Sequence, residues 1–153
     1  MLHESSIQEY WVKFLTETGR RLDLRYNFCG HMGPTEEIAN QLASLILSGE
    51  KTATTSCLLS YETEKEPIPV IGSLGIVTDW NGNPQCIIEN VNVTILAFKE
   101  MTFDICKREG EDLNLQSWQT THFDIFTKEG EKLGYMFTMD TPIVFEDFRV
   151  IYR

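Results

Sequence analysis

The chain has 153 residues, 42% of them hydrophobic and 11% aromatic, enough for one domain with a sizeable core. Thirteen Lys and Arg against 23 Asp and Glu leave a net charge of −10, a field that repels phosphate backbones and argues against a general RNA-coating protein. No apolar run approaches the ~18 residues of a membrane span, and the first residues lack the basic-then-apolar layout of a signal peptide, so a cytoplasmic protein is expected.

The first expected element is an amphipathic helix. Ser6 and Glu9 have capping-box spacing, Ile7, Tyr10, Trp11, Phe14 and Leu15 fall on one stripe, and Gly19 supplies a stop. Lys13, Arg20, Arg21 and Arg25 make a local basic group nearby, and the stretch from Arg20 to Met32 reads as a loop or short extended segment. Gly33-Pro34 opens a second helix, with Glu36 and Glu37 suited to its N-terminal dipole. Its buried stripe is Ile38, Leu42, Leu45 and Ile46, and Gly49 ends it. Strand character then takes over from Thr52 to Ser60, followed by a polar loop from Glu62 to Pro69. Leu74 to Asp79 and Gln85 to Val93 flank Asn81-Gly82 as a hairpin, with Thr94 to Phe98 continuing it or starting another strand. A short helix is expected at Thr102–Arg108, and a longer one from Leu115 to about Lys128, capped by Asn114 and stopped by Gly130. Two strands, near Lys132–Met139 and Ile143–Tyr152, close the chain. Helices with a mostly antiparallel sheet make an α+β fold consistent with a small barrel.

The densest chemistry lies where the second helix ends. Lys51 is followed by Thr52, Thr54, Thr55 and Ser56. Strand alternation sends Thr52 and Thr54 to one side, Ala53 and Thr55 to the other, and the Lys51 stem is long enough to fold over Thr54. An amine beside a hydroxyl acts as its general base when burial depresses the amine's pKa. The alternative is a solvated end-of-helix cation beside ordinary strand threonines. In the last strand Glu146 shares a face with Val144, Phe148, Val150 and Tyr152, so it needs a partner or a proton; a lysine or backbone amides near Lys51 are the expected partners. His122 sits on the stripe Leu115, Trp118, Ile125 and Phe126, where a rim residue and a ligand contact are both open. The cysteines, Cys29, Cys57, Cys86 and Cys106, and the histidines, His3, His31 and His122, are dispersed, so neither disulfide nor metal ligation is expected.

Read together, these blocks resemble the ASCH domain, a small barrel related to the PUA fold. Gly49, Lys51 and Thr54 match its Gly-x-Lys-x-x-Thr-x-Arg signature, with Ser56 where arginine is usual. Ile38-Ala39-Asn40-Gln41-Leu42, Pro69-Val70-Ile71-Gly72-Ser73, Glu109-Gly110-Glu111-Asp112 with Trp118 and His122, and Val144-Phe145-Glu146-Asp147-Phe148 follow in family order. The resemblance implies one PUA-like domain over residues 1–153, with an N-terminal helical extension over about residues 1–30. It also implies a catalytic set of Lys51, Thr54 and Glu111, as in bacterial relatives that deacetylate acetylcytidine, with Glu109 the other carboxylate in reach of that role. In that scheme Lys51 takes the proton of Thr54, whose hydroxyl attacks the amide. Thr52, Thr55, Ser56, Trp118, His122 and Glu146 are the expected ligand contacts. No cofactor is implied, and the partner is a nucleoside or single-stranded RNA. Ser56 cannot replace the charge of the motif arginine, so altered activity is expected. The rivals are a non-catalytic RNA-binding module and a ribonuclease.

Overall fold

The computed structural model describes residues 2–153, with side chains from residue 5 onward. Helix α1 (Leu2–Glu17) begins ahead of Ser6, so Ser6 lies in the helix interior and the expected capping box is not its start. Instead the neighbouring Ser5 hydroxyl donates to Glu9 at 3.1 Å. The remaining elements are β1 (Phe28–Gly30), α2 (Glu36–Ser48), β2 (Ala53–Cys57), α3 (Leu58–Glu64), β3 (Leu74–Thr78), β4 (Pro84–Ala97), α4 (Phe103–Cys106), α5 (Leu115–Leu133) and β5 (Pro142–Tyr152). The class is α+β, as expected. Five strands form one sheet in the order β1-β3-β4-β5-β2, with β1 parallel to β3 and the β3–β4 and β2–β5 pairs antiparallel. No helix among the described residues is long and apolar enough to cross a membrane.

Two compact units divide the chain. The first comprises Met1–Gly49, Gly72–Glu89 and Arg149–Arg153. Its core sets Trp11, Phe14 and Leu15 of α1 against Leu74 and Ile76 of β3 and Ile87 of β4. Trp11 resolves its buried indole N–H by donating to the Leu24 carbonyl at 2.9 Å, which ties down the loop after α1. Helix α2 is capped by Thr35, which accepts from the Ile38 amide, and it stops at Gly49, whose φ of 83° suits glycine. Its buried face is Ala39, Leu42, Ala43 and Ile46; Ile38 is exposed and Leu45 half-buried, so the apolar stripe is turned toward the two small residues.

The second unit comprises Glu50–Ile71 and Asn90–Phe148. Its core gathers Cys57, Phe98, Trp118, Phe126, Phe137, Ile143 and Phe145, with Phe98 stacked on Trp118 at 5.3 Å between ring centroids. Two expectations fail here. The span expected to be strand to Ser60 and then loop from Glu62 turns into α3 after Cys57, so β character ends three residues early. The strand expected near Lys132–Met139 does not exist: α5 runs on to Leu133, and residues 134–141 are irregular. The reason is Gly130. It is a packing residue, not a stop, because a Cβ there would lie 2.5 Å from the Tyr135 carbonyl oxygen. The helix ends at Gly134, with the amides of Gly134 and Tyr135 both donating to the Gly130 carbonyl.

Candidate functional site

Strand β2 is held at its start by the acidic loop. The Thr52 amide and hydroxyl both donate to the Arg108 carbonyl, at 2.9 and 3.2 Å, while the Thr52 carbonyl accepts from Phe148 of β5. Gly110 makes the close docking possible. Its φ is 73°, and a Cβ there would meet the Glu50 carbonyl oxygen at 2.4 Å. The two carboxylates flanking this glycine, Glu109 and Glu111, are thereby delivered to Lys51.

Lys51 is not a cleft-surface cation; its side chain is 1% exposed. Its amine donates to the Ala53 carbonyl at 2.8 Å and to Glu111 Oε2 at 2.6 Å, with Glu109 Oε1 at 3.6 Å. Both expected glutamates therefore meet the lysine, but they differ. The Glu109 side chain is 2% exposed, whereas that of Glu111 is 27% exposed. Glu109 is further bound by Thr55, whose hydroxyl donates to Oε2 at 3.0 Å, by the Trp118 indole N–H, and by His122, whose Nε2 lies 3.7 Å from Oε1. His122 Nδ1 lies 2.9 Å from the Trp118 carbonyl, which fixes the ring, and the ring stacks on Trp118 at 4.3 Å.

The electrostatics follow from this packing. Burial alone would raise the Glu109 carboxyl, but the His122 hydrogen bond and the Lys51 charge outweigh it and hold the pKa below its usual value. Burial alone would lower His122, but the hydrogen bond and charge of Glu109 hold it above its usual value. The cluster is thus a buried network of two bases and two carboxylates in which Glu111 alone is substantially open to solvent.

Thr54 stands elsewhere. It neighbours Thr55 in a regular strand, so its side chain faces the opposite side of β2, together with Ser56 and directly across from Glu146 of β5. No side-chain hydrogen bond joins Thr54 to Lys51 among the described residues. Glu146 does not find a lysine or backbone amides near Lys51, which corrects that expectation. It accepts from Asn90 Nδ2 at 2.8 Å, with Tyr61 close enough to bear on its titration, because β4 and α3, not the Lys51 segment, supply its neighbours. Ser56 lies near Tyr61, close enough to bear on its titration. The expected site residues accordingly divide into two groups. Lys51, Glu111, Thr55, Trp118 and His122 gather with Glu109; Thr54, Ser56 and Glu146 gather with Asn90 and Tyr61. Thr52 is exposed and spent on the Arg108 carbonyl.

Asn90 and Tyr61 were not found from sequence. Asn90 shares its β-rich run with Glu89 and Asn92, so nothing in the sequence marks it out from its neighbours; Tyr61 gave no signal, because the residues around it read as strand and loop. No group of three or more His, Cys, Asp or Glu residues is placed to hold a metal ion among the described residues.

The ASCH domain model matches residues 28–152. A crystal structure of an ASCH domain from Lactobacillus crispatus JV V101 is similar at 32% identity, covering 95% of each chain with a TM-score of 0.82. A crystal structure from Enterococcus faecalis V583 is similar at 29% identity, covering 99% of this chain and 90% of its own, with a TM-score of 0.90. A comparison with curated proteins gives no match.

Proposed function

Because the chain belongs to the ASCH-domain family, we propose that it binds a nucleoside or unpaired base at the Lys51–Glu111 pair and hydrolyses the exocyclic amide of an acetylated pyrimidine nucleoside there. One observation carries the reading: a buried ammonium holds, at 2.6 Å, a carboxylate whose side chain is 27% exposed. Such a carboxylate is oriented by its partner yet open to a ligand, which is what a general base requires.

In this reading Glu111 accepts a proton from a water that attacks the acetyl carbonyl. The amide C–N bond breaks as the leaving amine gains a proton, and acetate and the free amine are released. Lys51 positions Glu111 and draws it out of competing hydrogen bonds. Glu109 and His122 act further back, fixing Lys51 from its buried side. Thr54 as nucleophile, which the family resemblance implies, fits less well than water, because the side chain of Thr54 is on the other side of β2. Ser56, where the motif has arginine, lies with Thr54 on that other side of β2, so in this reading the missing arginine takes no donor from the Lys51–Glu111 pair.

The test is purified protein with acetylcytidine, followed by chromatography for cytidine. Wild-type protein releases cytidine, Glu111→Gln loses about 100-fold or more in kcat, and Thr54→Ala stays within several-fold. Turnover that survives Glu111→Gln unchanged contradicts the proposal. A net charge of −10 favours a neutral nucleoside over a phosphate-rich strand. Absence of turnover together with tight, steeply salt-dependent binding of single-stranded RNA would instead assign a binding module.

A further inference from the structure

The basic group that follows α1 takes no part in the Lys51–Glu111 chemistry, and it runs against the charge of the chain that carries it. The first compact unit has six Lys and Arg against eight Asp and Glu, and the second has seven against 15. Eight of the ten excess negative charges therefore lie in the second unit. Between Lys13 and Arg25, in the first unit, the balance is positive, with four cations against Glu17 and Asp23. Arg20, Arg21, Asp23, Leu24 and Arg25 line one open groove there of about 590 Å³, the size of a small-molecule site.

Two properties separate this groove from a solvated run of charge. Its backbone is pinned. The Arg20 amide donates to the Leu15 carbonyl at 2.9 Å and closes the last turn of α1, while the Trp11 indole N–H holds the Leu24 carbonyl at 2.9 Å. The Leu24 amide donates to the Arg21 carbonyl at 3.1 Å, and Tyr26 packs edge-on against Trp11 at 5.2 Å between ring centroids. Its cations are also not all spent. Arg21 is held by Asp23 through two guanidinium nitrogens, at 2.6 and 3.0 Å. Arg20 lies over the Phe14 ring at 5.2 Å, a contact that orients the guanidinium and leaves its charge unpaired. Among the described residues eight of the 13 Lys and Arg are ion-paired, and two of the five that are not, Arg20 and Arg25, share this groove.

Two opposing effects are too weak to cancel it. The C-terminal end of α1 presents the equivalent of about half a negative charge. Three arginines less the one carboxylate of Asp23 leave the groove at +2. The acid excess of the second unit acts mainly beyond a Debye length of about 8 Å at physiological ionic strength, so the local balance governs a small ligand.

We propose that Arg20, Arg21 and Arg25 form an anion site that binds a compact oligophosphate, either free or as the phosphate chain of a nucleotide. Several charges on one short chain match several guanidinium groups on one pinned loop, and planar guanidinium forks suit phosphate oxygens better than point charges do. A single carboxylate would meet only part of the group. A long RNA strand would carry most of its phosphates past the groove into a repulsive field.

The experiment is calorimetric titration of the full-length protein with sodium tripolyphosphate, and in parallel with cytidine triphosphate and cytidine. Tripolyphosphate and cytidine triphosphate are expected to bind one to one, with affinity that falls as salt rises, and cytidine to contribute nothing that depends on Arg25. Loss of one charge-assisted contact lowers tripolyphosphate affinity about tenfold or more in Arg20→Gln and in Arg25→Gln. Lys65→Gln removes the same charge from an unpaired lysine of the second unit and leaves affinity within about twofold, as screening requires. Arg25→Gln has no ion pair to lose, so it keeps the test open should Arg20→Gln, which gives up the Phe14 contact, weaken folding. Binding is retained in Glu111→Gln, and acetylcytidine turnover is unchanged in Arg25→Gln, which separates this proposal from the hydrolysis reading. No binding of tripolyphosphate, or an equal loss in Lys65→Gln and Arg25→Gln, would overturn it. So would single-stranded RNA lacking a 5′ phosphate that binds more tightly than tripolyphosphate at the same salt.

Discussion

Lys51 shows how burial changes the meaning of a motif residue. On a cleft surface its truncation would be nearly neutral, but here its removal leaves buried Glu109 with His122 as its one remaining basic partner. Lys51→Met is therefore expected to destabilise by roughly 3 kcal/mol, read as a fall in the urea midpoint. Glu111→Gln also weakens the pairing of buried Lys51, but Glu109 and the Ala53 carbonyl remain, so a smaller loss of about 1 kcal/mol is expected in the same measurement. The pH dependence has two limbs. Glu109 has a depressed folded pKa, so the stability it contributes is present above its ordinary carboxyl value and is lost as pH falls through the folded value. His122 has a raised folded pKa, so its contribution is full below its ordinary value of 6.5 and is lost as pH rises through the folded one. Replacing His122 with Gln is expected to abolish the alkaline limb in denaturation curves taken across neutral pH. Glu146 has the opposite sign to Glu109: its raised pKa means stability that falls as pH rises, and Glu146→Gln is expected to flatten that slope.

At the level of elements, the motif spacing conveyed more than the strand and helix patterns did. Gly49, Lys51 and the Glu109-Gly110-Glu111 run could be singled out because their order resembles the ASCH pattern, although composition alone reads the acidic run as a solvated loop, and the structure brings Lys51 and both glutamates together. Asn114 was legible as a cap from its residue type ahead of a helical apolar pattern, and it accepts from the Ser117 amide at 2.8 Å. The end of α5 was not legible, because a glycine that stops a helix and one that admits a neighbouring carbonyl look identical in sequence. Gly130→Ala tests the packing role: at an open helical position alanine's better propensity would stabilise, whereas the 2.5 Å approach of the Tyr135 oxygen predicts a loss of about 1 kcal/mol or more. Likewise the partner of Glu146 could not be read, since Asn90 lies 56 residues away and reaches it only through the sheet.

For the whole molecule, the −10 charge and the ASCH fold pull the functional reading in one direction. A phosphate-gripping RNA binder would show affinity that falls steeply with salt. This protein is expected to show little binding of single-stranded RNA at moderate salt, measured by fluorescence anisotropy. The central claim is that an oriented, solvent-open carboxylate held by a buried lysine performs amide hydrolysis. The most direct measurement is acetylcytidine turnover by wild-type protein beside Glu111→Gln, with folding of both verified by their urea midpoints. The account predicts cytidine release by the wild type and a loss of about 100-fold or more in the folded variant. Equal turnover in both, or none in the folded wild type, would contradict it.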